Sequence, residues 1–296
     1  MDQLAAMRLF TRIVERRSFT LAAQDIGIPR STATQVLKRL EDRLNARLLQ
    51  RTTRTVTPTL DGEAYYRRCL AILADVEDAE GAFKGAKPRG PLHADVHGTL
   101  ARHFLFPRLP DFLRRYPDIQ LHISEGDRLV DLVREGVDCV LRVGSLSDST
   151  MIGRSVAMLD EVTVASPAYL KRHGTPRTPD DLGGHFAVGF VSSATGTTIP
   201  MEFTDGGTVR HCAVPSVVSV SGAESFVAAA RLGLGLIQAP RYHLESDLAA
   251  GSLVTVLDDY PPTPTPVSLL YPQRRQLSPR VRVFIEWVSH VFSAGA

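Results

Sequence analysis

In the N-terminal part of the chain, the side chains best suited to contact a nucleic acid lie between Ser31 and Lys38. On a helix turning about 100° per residue, Ser31, Thr34, Gln35 and Lys38 fall on one side. Glutamine can hold adenine through two hydrogen bonds, and serine or threonine can reach either type of base. A solvated helix face has the same composition, so the flanking sequence decides between the two interpretations.

Two short helices and a tight turn are predicted to position these residues. The second helix carries a core-facing stripe on its other side, formed by Ala33, Val36, Leu37, Leu40 and Leu44. Ser18 and Thr20 are N-cap candidates for the preceding helix. Gly27 suits the end of that helix, and Pro29 suits the entry to the next. The pattern predicts a helix-turn-helix.

A polar, turn-like segment follows the second helix and lies between Leu48-Leu49 and an alternating run, residues 55–57. This pattern predicts a small hairpin, or wing, whose two tip arginines suit phosphate or narrow minor-groove contact. The helix-turn-helix and the wing together supply the predicted DNA-binding residues: Ser18, Thr20, Arg30, Ser31, Thr32, Thr34, Gln35, Lys38, Arg51, Thr52, Thr53 and Arg54.

Residues 4–66 resemble the winged helix-turn-helix of LysR-type transcriptional regulators. The resemblance rests on the SF-x-x-AA segment from Ser18, the Leu40-Glu41 pair, the RLL-x-RTTR wing at 47–54 and the position of Gly62. The chain departs from the family in the turn, at 28–30, and on the recognition face. There, residues 32–35 replace the common Ala-Val-Ser-Arg, which bears on the preferred DNA sequence.

Charge is distributed unevenly along the 296 residues. The first 68 contain 13 Lys and Arg against 7 Asp and Glu, although the whole chain has a net charge of only +2. A basic head on a mildly acidic body indicates that one end meets a polyanion. No apolar run approaches the roughly 18 residues of a membrane span, and no secretory signal is evident, so we expect a cytoplasmic protein without membrane contact.

The three cysteines, Cys69, Cys139 and Cys212, are far apart and match no metal-ligand spacing. Reduced thiols are the expected state, and a redox-sensing role is left open. His93, His97 and His103 have no carboxylate or cysteine at ligand spacing. The sequence therefore predicts neither a metal site nor a cofactor.

Residues 59–87 are predicted to form one long helix with a single apolar seam. The seam recurs at alternating steps of four and three and consists of Tyr65, Cys69, Ile72, Val76, Ala79 and Phe83. Such a seam either pairs with a second copy or packs on its own domain. The family resemblance implies the former, a linker helix joining a homodimer or a dimer-of-dimers tetramer.

The remaining chain is predicted to be an α/β domain. After a Pro- and Gly-rich hinge at 88–91, strand-like and helical runs alternate through 92–296, which indicates largely parallel sheets. The resemblance implies a periplasmic-binding-protein-like effector domain with two subdomains, about 92–162 with 266–296, and about 163–265. The predicted fold class is thus α/β, preceded by a helix-rich winged helix-turn-helix at 1–58.

A small ligand is predicted to bind where strands end and helices begin. Backbone N–H groups and hydroxyls at such ends favour a small anion, and the candidates are Thr99, Ser145, Ser193 and Ser221. Each is also a common type of cap or turn residue. Arg142 and Glu224 could add charge.

The resemblance implies a non-enzymatic transcriptional regulator whose partners are promoter DNA, a small-molecule effector and RNA polymerase. We expect the effector to be an anionic metabolite. Two other classes stay open. An architectural DNA-binding protein would respond to no ligand, whereas an enzyme or solute-binding module would act without changing DNA affinity. The absence of a catalytic constellation from the sequence disfavours the enzyme.

Overall fold

The computed structural model describes residues 2–51, 56–82, 87–126, 136–144, 151–193, 195–272 and 277–293. Several predicted residues lie outside these ranges: Thr52, Thr53 and Arg54 of the wing, Phe83 of the seam, and Ser145. The side chains of Arg51 and Ala79 lie outside the description as well.

The N-terminal domain consists of α1 (Gln3–Arg16), α2 (Phe19–Ile26), α3 (Arg30–Leu44), β1 (Leu49–Arg51), β2 (Val56–Pro58) and α4 (Leu60–Ala82). Ser18 caps α2, since its hydroxyl accepts a hydrogen bond from the backbone N–H of Leu21 at 3.3 Å. Gly27 ends α2 with φ of 73°. The helix-turn-helix therefore forms through the local signals that predicted it.

The core of this domain lies between α1 and α3, where Phe10 and Ile13 pack with Leu37 and Leu40. Leu44 was predicted to join this core, and the prediction is wrong, because its side chain is 39% exposed. It is the last residue of α3, and Asn45 turns the chain into the left-handed region directly after it. The core-facing stripe thus ends one turn earlier than its spacing indicated.

The wing is fastened to α3 by the Glu41 carboxylate, whose Oε1 accepts backbone hydrogen bonds from Leu48 at 2.8 Å and Leu49 at 3.2 Å. Thr59 then caps α4: its Oγ1 accepts from the N–H of Gly62 at 2.9 Å and donates to the Arg47 carbonyl at 2.6 Å. Hydrogen bonds therefore join α3, the start of the wing and the first turn of α4.

The C-terminal region is an α/β domain, and the predicted fold class is confirmed. Its strands are β3 (Gly90–Val96), β4 (Ile119–Glu125), β5 (Cys139–Val143), β6 (Met151–Leu159), β7 (Glu161–Ala165), β8 (Ala187–Phe190), β9 (Met201–Asp205), β10 (Thr208–Cys212), β11 (Ser216–Val220), β12 (Ile237–Pro240), β13 (Val254–Thr255) and β14 (Thr265–Pro272). Its α-helices are α5 (Gly98–Leu100), α6 (Leu109–Arg115), α7 (Pro167–His173), α8 (Ala223–Arg231), α9 (Arg241–Ala250) and α10 (Pro279–Ser293). A π-helical turn, Ala101–Leu105, and a 3-10 turn, Phe106–Arg108, connect α5 to α6.

The described strands of this domain form a five-stranded sheet, a three-stranded sheet and two further pairs of strands. In the first, with the order β4-β3-β5-β14-β6, β3 is parallel to β4 and β5, whereas β14 is antiparallel to both of its neighbours. In the second, the three-stranded sheet, β7 is antiparallel to β12 and β13, whereas β8 and β11 form a separate parallel pair. The prediction of largely parallel sheets is therefore wrong for β6, β14 and the β7 sheet. Sequence reasoning missed β6 because it is an edge strand whose residues 153–155 are exposed, so burial does not alternate along it.

The chain passes between the sheets at two adjacent points. Leu159 ends β6 in the first sheet and pairs with Thr265, whereas Glu161 opens β7 in the second and pairs with Pro240. Each subdomain has its own core, the first around Phe112, Leu141 and Phe284 and the second around Val164, Val227 and Leu244. Glu161 and Thr265 thus lie at the junction between two independently packed subdomains.

Candidate nucleic-acid interface and cavity

The outer face of α3 carries the predicted polar residues. Arg30, Ser31, Gln35 and Lys38 are exposed, while Thr32 and Thr34 are half-buried. The Thr34 hydroxyl donates to the carbonyl of Arg30 at 3.1 Å, so it is engaged within the helix. Since Ala33, Leu37 and Leu40 on the opposite side are buried, α3 has a fixed rotation and presents the amide of Gln35 outward.

An ionic cluster fixes α2 against α1 beside this face. Asp25 Oδ2 lies 2.6 Å from the Nε atoms of both Arg12 and Arg16. The hydrogen bond from Arg16, followed by that from Arg12, keeps the pKa of the Asp25 carboxyl below its usual value despite partial desolvation. Of the remaining predicted residues, Thr20 is exposed, and Ser18 is half-buried at the N-cap of α2.

The seam of α4 faces its own domain over its first turns. The Cys69 side chain is 0% exposed within the N-terminal core, and the Tyr65 ring lies 5.4 Å from that of Phe10. Ile72 packs against the same core. Burial raises the pKa of the Cys69 thiol to about 11. For Cys69 the prediction of contact with a second copy is wrong, because α1 already covers this face.

A cavity of about 880 Å³ lies at the junction of the two subdomains and is lined by residues of both. Three of the predicted ligand-binding residues, Thr99, Ser193 and Ser221, line it, and so does Gly144, which directly precedes Ser145. Cavities of this size hold metabolite-sized ligands. The loops that carry Thr99, Ser193 and Ser221 therefore line one cavity, as their positions at strand and helix ends predicted.

Polar side chains join the subdomains at one end of this cavity. Thr99 Oγ1 lies 2.7 Å from the Tyr242 hydroxyl and 2.8 Å from His97 Nδ1. A second contact joins the subdomains through Arg102. Its guanidinium donates to Glu125 of the first subdomain at 2.7 Å and to Glu224 of the second subdomain at 3.1 Å. The sequence did not indicate Tyr242, since only tertiary packing brings it within reach of a residue 143 positions earlier.

Arg142 lines the cavity, but its charge is balanced within the protein. The guanidinium pairs with the Asp95 carboxylate, and both side chains are only 8% exposed. Asp95 also accepts a hydrogen bond from Ser124 at 2.5 Å. Because the paired carboxylate neutralises it, Arg142 adds little net positive potential to the cavity.

Carboxyl groups lie at the junction of the subdomains. Glu161 lines the cavity, and its Oε1 accepts a hydrogen bond from Thr265 Oγ1 at 2.8 Å. Burial raises the pKa of this carboxyl to about 7, the Thr265 hydrogen bond opposes the rise, and the nearby charge of Glu202 adds to it. Glu202 lines the same cavity and accepts a hydrogen bond from the Thr263 N–H at 3.2 Å.

The Glu161→Gln variant is expected to lose a pH dependence of folding stability. The usual pKa of 4.5 applies in the unfolded chain and about 7 in the fold, so the native state binds the extra proton between these values. Native stability therefore falls as pH rises through this window, by about 3 kcal/mol. Urea unfolding at pH 5 and pH 8 measures this change. The free energy of unfolding of the variant, relative to that of the parent, should be higher at pH 8 than at pH 5. The exposed Glu245→Gln control should show no such gain.

Comparisons with known proteins match both halves of the chain. Residues 4–63 match the bacterial regulatory helix-turn-helix protein, lysR family, and residues 85–293 match the LysR substrate binding domain. The chain belongs to the LysR family of transcriptional regulators. This LysR-type regulator is 37% identical to the helix-turn-helix-type transcriptional regulator YhjC of Escherichia coli (strain K12), over 98% of each chain. The resemblance drawn from the sequence is therefore confirmed.

Other relatives share the full architecture of this LysR-type regulator. A helix-turn-helix-type transcriptional repressor of Pseudomonas aeruginosa is 35% identical over 99% of this chain and 93% of its own. The solved structure of CrgA, a LysR-type transcriptional regulator from Neisseria meningitidis, is 29% identical, covers 97% of this chain and 98% of its own, and superposes with a TM-score of 0.60. The family is one of DNA-binding regulators with an effector domain, not of enzymes.

Within the described ranges, no helix is long and apolar enough to cross a bilayer. The same ranges contain no group of three or more His, Cys, Asp or Glu side chains arranged to hold a metal ion.

Proposed function

We propose that this LysR-type regulator reads a specific promoter sequence through the outer face of α3 and is controlled by a small molecule bound between its two C-terminal subdomains. The observation that carries the proposal is the cavity of about 880 Å³ at the subdomain junction, in a chain whose recognition helix exposes Gln35 and Lys38. The wing arginines, Arg51 and Arg54, contact phosphates beside the helix.

The proposed effector contacts are Thr99, Ser145, Ser193 and Ser221. Support comes from the position of three of them on the cavity lining, together with the Gly144 neighbour of Ser145. Binding shifts the angle between the subdomains only to the extent that the ligand prefers one arrangement over the other. The Thr99–Tyr242 and Arg102–Glu224 contacts, which join the subdomains, are the interactions that such a shift would exchange.

The functional unit is proposed to be a homodimer, or a tetramer built from two dimers, acting in the cytoplasm. Paired linker helices hold two copies of α3 so that they enter successive major grooves of an interrupted palindrome. RNA polymerase is the proposed further partner, recruited or excluded at the bound promoter. The CrgA structure, which covers 97% of this chain, supports the use of the whole architecture in one regulator.

Selection from a randomised duplex library tests the proposed function. The full-length protein, at moderate salt, is expected to enrich one interrupted palindrome, and fractions of a metabolite extract are expected to change its affinity for that site. A library that stays random would overturn the DNA-reading role. Enrichment that no metabolite fraction alters would overturn the effector role and favour an architectural protein.

The Val76→Asp variant tests the pairing of linker helices. Val76 is half-buried, two helical turns beyond Cys69, and continues the apolar seam where the N-terminal core ends. A buried charge at a helix–helix contact is costly, so the variant is expected to shift the dimer toward monomers in sedimentation experiments. Val209→Asp, at an exposed strand position, serves as the matched control and should keep the assembly. An intact dimer in the Val76 variant would exclude pairing through this position.

A further inference from the structure

The charges around the cavity do not match the small anion expected from the sequence. Its described lining contains the carboxyl groups of Glu161 and Glu202, while the Arg142 charge is balanced by buried Asp95. Of the lining histidines, burial lowers the pKa of His243, and His97 Nδ1 is hydrogen-bonded to Thr99. A carboxylate ligand would therefore bring a further acidic group into a partly desolvated, net acidic space.

Glu161 is the best-defined of these acidic groups. It accepts one hydrogen bond, from Thr265, and forms no ion pair within the described part of the chain. A carboxyl group has acceptor capacity for several donors, and a buried one without a counter-charge is unfavourable as an anion. Glu202 lies close enough for its charge to act on Glu161. Both residues line the same cavity, and their accepted hydrogen bonds come from Thr263 and Thr265, two positions apart on one segment.

The rest of the lining supplies an apolar surface. Described side chains from the second subdomain form most of it: Val188, Phe190, Ile199, Met201, Phe226 and Ile237. Such a surface excludes water around a ligand and increases the strength of charge pairing at its acidic end. The ligand that fits both parts has an apolar body and a compact cationic group.

We propose that the effector of this cavity is an amine: a small molecule with an apolar body whose ammonium group binds between Glu161 and Glu202. The proposal rests on the proposed function, because it assigns a ligand class to the same cavity. The ammonium donates hydrogen bonds to both carboxyl groups and supplies the positive charge that Glu161 lacks. The Thr265 hydroxyl holds the Glu161 carboxyl in place. No covalent step is involved.

Three probes of similar shape test the ligand class: benzylamine, benzyl alcohol and benzoate. Each is titrated calorimetrically into the full-length protein at pH 8, where Glu161 is largely ionised. Benzylamine is expected to bind at least about tenfold more tightly than benzoate, with benzyl alcohol between them, since one buried charge pair of this kind outweighs the equal apolar contributions. Benzoate binding as tightly as benzylamine, or no detectable binding by benzylamine, would overturn the assignment.

The Glu161→Gln and Glu161→Gln/Glu202→Gln variants locate the preference. Glutamine keeps the size of each side chain and one acceptor oxygen but removes its charge, so the preference for benzylamine over benzoate should fall about tenfold in the double variant. Glu245→Gln, at an exposed position on α9, should keep it. A preference that survives the double variant places the amine elsewhere and overturns the proposal. The single variant provides the answer if the double variant fails to fold.

The two proposals fail in different ways. If benzoate binds the cavity better and alters DNA affinity, the amine assignment is wrong and the proposed function stands. If benzylamine binds as expected but no metabolite fraction alters DNA affinity, the cavity assignment stands and effector control of DNA binding is wrong.

Discussion

Replacing Gln35 with alanine is expected to weaken binding to the preferred DNA site by about 1–3 kcal/mol, roughly 5- to 150-fold. Gln35 is exposed near the middle of α3, and the burial of Ala33 and Leu37 behind it fixes the direction of its amide. In the proposed complex, the variant would lose hydrogen bonds to a base edge but keep the phosphate contacts proposed for Lys38 and the wing. Fluorescence titration at one fixed salt concentration measures the change.

Two controls separate base reading from general loss of affinity. Affinity for a scrambled duplex should remain at the parent value, because phosphate contacts dominate there. Gln120→Ala, the same substitution at an exposed position of β4, should leave both affinities unchanged. If the Gln35 variant loses affinity equally for the preferred and the scrambled site, Gln35 does not read bases.

The Gly62→Ala substitution is expected to be severely destabilising, although alanine in a helix is ordinarily the more favourable residue by about 0.5–1 kcal/mol. An added Cβ at Gly62 would lie 1.9 Å from the carbonyl oxygen of Leu48 and 2.9 Å from its carbonyl carbon. Both atoms belong to the backbone that Glu41 and Thr59 hold in place, so the first turn of α4 would have to separate from the wing. Overpacking of this kind typically costs at least about 1–3 kcal/mol.

Urea unfolding followed by circular dichroism measures this loss. Gly183→Ala is the matched control, since φ at Gly183 is −60° and an added Cβ there meets no atom within 4 Å. DNA affinity should fall in the Gly62 variant together with stability, although glycine itself offers no side chain to DNA. A Gly62 variant as stable as the control would show that the start of α4 can move away from the wing at no cost.

The helix-turn-helix could be predicted from sequence because its signals are local. The Ser18 cap, the positive φ at Gly27 and the buried stripe of α3 each depend on residues only a few positions apart. The burial of Leu44 was predicted wrongly because periodicity indicates which side of a helix faces the core. It does not indicate how far the core extends along the helix. The seam of α4 was ambiguous for a related reason: an apolar stripe is the same whether α1 or a second copy covers it.

The cavity was only partly predictable. Loops at strand and helix ends indicated Thr99, Ser193 and Ser221, since that rule depends on topology alone. Glu161 and Tyr242 were missed because their surroundings come from segments distant in the chain, Thr265 in one case and Thr99 in the other. The amine proposed here in place of the expected anion rests on such long-range pairing as well. From the sequence, Arg142 could add positive charge to the cavity, but in the fold its guanidinium pairs with Asp95.

The Glu41 hydrogen bonds to the wing bear on how such regulators diversify. One α3 carboxylate holds both Leu48 and Leu49, and Thr59 continues the connection into α4, so hydrogen bonds join α3 to the start of the wing and to α4. In the proposed dimer, substitutions at Ser31 or Gln35 would alter the operator without altering the distance between half-sites, which the pairing of α4 helices would set. Under this proposal operator choice and half-site spacing can evolve separately, and the first 62 residues would be a natural unit for exchange between paralogues.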